Sequence, residues 1–127
     1  MDVLSPAVGN MHGLLKSMLA GQSEKRLNIE LIREIKKAAG VFMTLHGGSG
    51  TNTRDLQLVI AAGITVVHVN TDVRVAWRRG LEEALSRDPN EIAPYKILPG
   101  AVDSIYKVVL ERLELFSPQR KPFTQAV

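Results

Sequence analysis

Three times along this chain a short apolar run reaches a histidine or another polar residue, passes through glycine- or asparagine-rich turn chemistry, and gives way to apolar residues at helical spacing. That alternation of periods marks βα units, whose strands pair in parallel with helices laid on the sheet. The first unit opens on the strand-like run Val3-Leu4-Ser5-Pro6-Ala7-Val8, turns at Gly9-Asn10 and presents His12-Gly13. After an unassigned segment, Leu14 to Lys25, a helix is expected near Ile29 to Ala39, where Ile29, Ile32 and Ile35 recur on one face. Asn28 is placed to cap its start, and Gly40 to end it in a left-handed turn.

The second unit runs from Val41 through Leu45 into His46-Gly47-Gly48-Ser49-Gly50. Asn52 or Thr53 then caps a helix carrying Leu56, Val59 and Ile60, and Gly63 closes it. The third strand, Ile64 to Val69, is almost wholly apolar, which predicts helices over both of its faces. It ends in Asn70-Thr71-Asp72. From Val73 a further helix is expected to turn Trp77, Leu81, Ala84 and Leu85 inward and to end at Asp88-Pro89. A turn region with Pro94 and Pro99 then leads to a last helix, about Ala101 to Phe116, with Val102, Ile105, Tyr106, Val109 and Leu113 along one stripe. The tail from Pro118 to Val127 is polar and proline-broken, so the folded part is expected to span 1–117.

Composition excludes several classes of function. The chain has 127 residues, 45% of them hydrophobic and 23% charged, which are ordinary proportions for a folded domain. With no cysteine, disulfides, thiolate metal clusters and a cysteine nucleophile are ruled out, and any metal must be held by His, Asp or Glu. Sixteen Lys+Arg against thirteen Asp+Glu leave a net charge of only +3, which gives nucleic-acid binding little support. The most apolar stretch, Val59 to Val67, is far shorter than the roughly 20 residues a membrane helix requires. The N-terminus lacks the basic and apolar regions of a secretory signal, so a soluble cytoplasmic protein is expected.

All three histidines, His12, His46 and His68, fall at or near the C-terminal ends of expected strands, and so on one rim. In parallel α/β sheets and barrels that rim is where ligands bind. Imidazole is a common zinc ligand, and a following glycine leaves room for substrate. A lone histidine is more often structural, but two His-Gly pairs at equivalent positions are harder to dismiss. The Gly47 to Gly50 loop before a helix is either a phosphate cradle or a plain flexible turn. Asn70, Thr71 and Asp72 offer polar groups to the same rim or cap the next helix, and Arg74 meets a second anion or is solvated. No G-x-S-x-G elbow surrounds Ser49, which removes a serine hydrolase, and no pair of strand-end acids supports a glycosidase.

Taken in order, Gly9-Asn10-Met11-His12-Gly13, Leu45-His46-Gly47-Gly48-Ser49-Gly50 and Val69-Asn70-Thr71-Asp72 resemble the C-terminal half of class II ketose-bisphosphate aldolases. The similarity continues through Arg74-Val75-Ala76-Trp77, Asp88-Pro89, Pro94-Tyr95-Lys96 and Leu115-Phe116. The resemblance implies an α/β fold forming about three βα units, the sixth to eighth, of a (β/α)8 barrel. It also implies a glycolytic-type lyase that cleaves a fructose or tagatose 1,6-bisphosphate reversibly into dihydroxyacetone phosphate and glyceraldehyde 3-phosphate. It assigns zinc to His12 and His46, with the metal polarising the ketose carbonyl and stabilising the enediolate. Gly13, Gly47 and Ser49 would bind the phosphate or a nearby monovalent cation, Asn70 and Thr71 would complete that phosphate site, and Arg74 would meet the phosphate at the other end of the sugar. The full-length protein would be a homo-oligomer.

Two departures qualify the transfer. His68 stands where the family usually has an Asn that contacts substrate, so a substrate-contacting or rim-polar role is favoured for His68 over a structural one and over zinc ligation. The family's third zinc histidine, its general-base aspartate and its mobile-loop acid belong to the N-terminal half, whereas a catalytic zinc takes three protein ligands. The expectation is therefore a partial aldolase that binds zinc weakly and is inactive alone, with open sheet edges and a tendency to self-associate. A non-catalytic sugar-phosphate-binding module and a self-sufficient His12-His46-His68 zinc site are the alternatives.

Overall fold

The structure is a computed structural model that describes residues 2–13 and 23–117. Most of the unassigned stretch Leu14 to Lys25 and the tail expected at 118–127 therefore lie outside the described residues. The chain divides into two compact units, Met1–Asp72 and Val73–Val127.

In the first unit, β1 (Val3–Leu4), β2 (Phe42–Leu45) and β3 (Ile64–Val67) form a parallel sheet in sequence order, with α1 (Ile29–Ala39) and α2 (Thr53–Ala61) as the crossovers. Val3 pairs with Phe42 and Met43 with Ile64, and an irregularity after Met43 sets Thr44 opposite Val66. The helix boundaries follow from local chemistry. Asn28 Oδ1 accepts from Leu31 N–H at 3.0 Å, and Gly40, at φ 66°, returns its N–H to Lys36 O at 3.0 Å. Asn52, rather than Thr53, caps α2 by accepting from the N–H groups of Arg54 and Asp55.

Val8, Ile32, Met43, Leu45, Leu56 and Val59 are fully buried, with Leu27 and Ile64 beside them in the core. Each contributes about 1.5–3 kcal/mol by leaving water. The expectation that helices cover both faces of β3 is corrected. Thr65 and Val66 are exposed, and on β2 the pattern alternates, with Phe42 64% exposed beside fully buried Met43. Among the described residues of the first unit, α1 and α2 cover one face of the sheet and not the other. The strands are also shorter than expected: β1 stops at Leu4, two residues before Pro6, which has no N–H to give to a ladder, and β3 stops at Val67.

The second unit carries the helical pair α3 (Thr71–Arg87), which begins at the end of the first unit, and α4 (Pro94–Phe116). Here two expectations fail. The last helix starts at Pro94 instead of Ala101, because a proline is well placed at the first helical position, and the helix runs on through Pro99 despite the bond its missing N–H forgoes and the crowding of its ring on the Tyr95 carbonyl. The inward faces are also different. Ala76, Gly80 and Ala101 are the buried residues, whereas Trp77, Leu85, Val102, Tyr106, Val109 and Leu113 are exposed. The helices approach through small residues: a Cβ at Gly80 would lie 2.5 Å from both Gly100 O and Ser104 Oγ. Backbones this close leave no room for Trp77 or Tyr106 between them, so the bulky stripes turn outward. No described helix is long and apolar enough to cross a membrane.

Candidate functional site

Because β2 ends on Leu45 and β3 on Val67, His46 and His68 are the first residues past their strands. The ladder runs on for one more bond, His68 N–H to Leu45 O at 2.9 Å, and Gly48 N–H then donates to His68 O at 3.0 Å. The loop after β1 is brought in by Asn10. Its Oδ1 accepts from Val8 N–H at 2.8 Å, closing the turn, and its Nδ2 donates to His46 O at 3.1 Å. The outcome is a row of three imidazoles. His12 and His46 have ring centroids 5.6 Å apart at 58°, and His46 and His68 stack at 4.3 Å and 28°. His46 is half-buried between the two exposed rings.

Beneath the row lies Lys25, only 3% exposed. Its Nζ donates to Met11 O at 2.6 Å, Ser49 O at 2.7 Å and Gly47 O at 3.2 Å, which satisfies all three ammonium hydrogens. Burial holds the Lys25 amine below its ordinary range, and the Asp72 carboxylate opposes that shift. Gly47 makes the crossing of the two loops possible. At φ 69°, a Cβ on it would fall 2.3 Å from Met11 O. Neither Lys25 nor the tie from Asn10 was legible in the sequence. Asn10 reads as an ordinary turn residue, and Lys25 as one charge in the run Glu24-Lys25-Arg26.

Ser49 is buried, and its Oγ accepts from Asn70 N–H at 3.2 Å and Asp72 N–H at 3.1 Å, so it caps the start of α3 from another loop. Asn70 is exposed and Thr71 half-buried at that helix start, while Gly13 is exposed beside His12. The structure thus gathers His12, Gly13, His46, Gly47, Ser49, His68, Asn70 and Thr71 on one rim. Arg74 is exposed on α3 in the second unit. The rim is braced from below by buried Asp55, which accepts from Leu27 N–H at 2.9 Å and Arg26 Nε at 3.0 Å.

The imidazole row can be tested against zinc. With zinc–nitrogen bonds of about 2.1 Å and tetrahedral angles, two ligating rings have centroids about 5 Å apart. The His12–His46 separation of 5.6 Å, with tilted planes, agrees with that. The His46–His68 pair does not, because near-parallel stacked rings direct their nitrogen lone pairs along parallel planes rather than to one point. Among the described residues no group of three or more His, Asp or Glu side chains can hold a metal. The donors therefore fit two positions of a zinc site, and the self-sufficient three-histidine alternative gains no support.

With a parallel βα sheet and its polar loops gathered at the strand ends, this chain has the fold of part of a (β/α)8 barrel. It belongs to the class II fructose-bisphosphate aldolase family, whose description, "Fructose-bisphosphate aldolase class-II", matches residues 1–121. Among similar proteins are the fructose-bisphosphate aldolase of Geobacillus stearothermophilus, 31% identical over 95% of this chain and 40% of that protein, and the probable fructose-bisphosphate aldolase of Bacillus subtilis, 32% identical over 91% and 39%. The fold is shared with the YdjI aldolase from Escherichia coli K12, at TM-score 0.68 and 22% identity over 95% of this chain and 41% of that one. It is also shared with a putative fructose-1,6-biphosphate aldolase from Coccidioides immitis, at TM-score 0.72 and 20% identity over 92% and 38%. The chain spans about 40% of the length of the curated relatives it matches.

Proposed function

We propose that this chain supplies the two-histidine, phosphate-binding side of a zinc-dependent aldolase site. The reaction is the reversible cleavage of a ketose 1,6-bisphosphate, fructose or tagatose, to dihydroxyacetone phosphate and glyceraldehyde 3-phosphate. The observation that carries this reading is the placement of the His12 and His46 rings 5.6 Å apart on the strand-end rim, beside the Gly47 to Gly50 loop. His12 and His46 hold the zinc, which when bound supplies Lewis-acid polarisation of the ketose carbonyl.

The remaining work falls to the chain's own groups. Gly13, Gly47 and Ser49, with Asn70 and Thr71 at the N-terminus of α3, receive the phosphate of dihydroxyacetone phosphate, where the positive end of a 17-residue helix favours an anion. Arg74 meets the phosphate at the other end of the sugar. His68, exposed and stacked on His46, hydrogen-bonds the substrate. A third zinc ligand and a general base have to come from outside this chain. The reading carries with it a cytoplasmic location and a homo-oligomeric full-length enzyme.

The test is zinc binding and turnover by the purified 127-residue chain. Weak zinc binding that is lost in His12→Ala and in His46→Ala but kept in His68→Asn, with no cleavage of fructose 1,6-bisphosphate, is expected. Zinc retained by the double variant His12→Ala/His46→Ala sinks the metal assignment. Turnover by the chain alone sinks the claim that it is incomplete.

A further inference from the structure

A buried ammonium that donates to three main-chain carbonyls, and to no side-chain oxygen among its described bonds, is an unusual use of a lysine. Met11, Gly47 and Ser49 turn their C=O groups to one point at 2.6, 3.2 and 2.7 Å from Lys25 Nζ. Carbonyl oxygens converging in this way are what proteins use to replace the hydration shell of an alkali cation. Without a positive charge at the centre, three converging dipoles would face one another and repel.

We propose that Lys25 is a tethered cation, whose ammonium fills this carbonyl cage in place of a free potassium or sodium ion and so positions the two loops that carry His12 and His46. Met11 directly precedes His12, and Gly47 directly follows His46. The cage therefore fixes the chain at the residue next to each imidazole, and the separation of the two rings is set by a charge the protein carries itself. The tether is anchored at its backbone as well. Lys25 N–H donates to Gly50 O at 2.9 Å, and Lys25 O accepts from Asn52 N–H at 3.1 Å, on both sides of Thr51. The Asp72 carboxylate, whose field favours the charged amine, offsets part of the cost of burying it.

A free ion has to be drawn from solution and leaves when it is withdrawn; a tethered one does neither. The inference does not rest on the aldolase reading, since it concerns the loops and needs no substrate. The test compares the full chain and its Lys25→Met variant in potassium chloride and in tetramethylammonium chloride at equal ionic strength, the latter cation being too large for the cage. Melting temperature and the ring resonances of His12 and His46 are the readouts. The unaltered chain is expected to give the same values in both salts. Lys25→Met is expected to melt lower, with shifted His12 and His46 signals in tetramethylammonium, and to regain at least half of each loss as potassium or ammonium is added to saturation. A structural lysine that only fills space would show no such rescue. Dependence of the unaltered chain on potassium overturns the proposal. So does a variant indifferent to the loss of the ammonium, or one that no small cation restores.

Discussion

Replacing Gly47 by alanine tests the account of the rim most directly. The new Cβ would sit 2.3 Å from Met11 O, about 1 Å inside van der Waals contact, on a residue held at φ 69°. The left-handed backbone alone costs an alanine about 1–2 kcal/mol. Relieving the overlap requires Met11 to retreat, which breaks its bond from the Lys25 ammonium, and a hydrogen bond to a charged group is worth about 1.5–3 kcal/mol. The two effects together predict a loss of about 2.5–5 kcal/mol. Gly13→Ala is the internal control, because Gly13 has φ 77° but nothing within 4 Å of a Cβ, so only the backbone cost of about 1–2 kcal/mol applies. Urea unfolding of the two variants against the parent measures the difference. If Gly47→Ala costs no more than Gly13→Ala, the first and second loops do not meet where described, and the placement of His12 beside His46 fails with them.

Gly80→Ala should destabilise the helical pair by about 2 kcal/mol or more despite its better helix propensity, since the added Cβ lies 2.5 Å from Gly100 O and Ser104 Oγ. Gly100→Ala, whose nearest contact is the Gly80 carbonyl oxygen at 3.3 Å, should cost clearly less, because a gain of up to about 1 kcal/mol in helix propensity offsets that tight contact; thermal melting followed by Trp77 fluorescence distinguishes them, and equal losses would contradict the close packing of α3 on α4. Ser49→Ala removes the acceptor of two N–H groups at the start of α3 and should cost about 1–2 kcal/mol, with faster amide exchange at Asn70 and Asp72; unchanged exchange there would disprove the cap. Glu91 receives the Lys96 ammonium at 2.7 Å and the N–H groups of Ile92 and Ala93, which hold its carboxyl below the usual range. Its support of the α4 start is therefore complete above the ordinary carboxylate value and is lost only as pH falls through the lowered one. The amide shifts of Ile92 and Ala93 should titrate at that lowered value, and titration at the ordinary value would contradict it.

What the sequence by itself determined was whatever depends on near neighbours. Asn28 and Asn52 mark helix starts because an amide oxygen can reach N–H groups two or three residues on, and Gly40 marks an end because it tolerates a left-handed φ. The parallel order of the strands follows from the βα alternation, and the common rim of His12, His46 and His68 follows from their place after the strands. Tertiary structure decided what depends on distant partners. The stripe Val102, Tyr106, Val109 and Leu113 is plain in the sequence, but helical period does not say which stripe meets a neighbour, and the small residues Gly80, Gly100 and Ala101 took that role. Lys25 ends a stretch to which the sequence assigns no element, and its ammonium meets carbonyls 14, 22 and 24 residues away. A buried cation requires several oxygens at one point, and only the folding of separate loops onto one another brings them there.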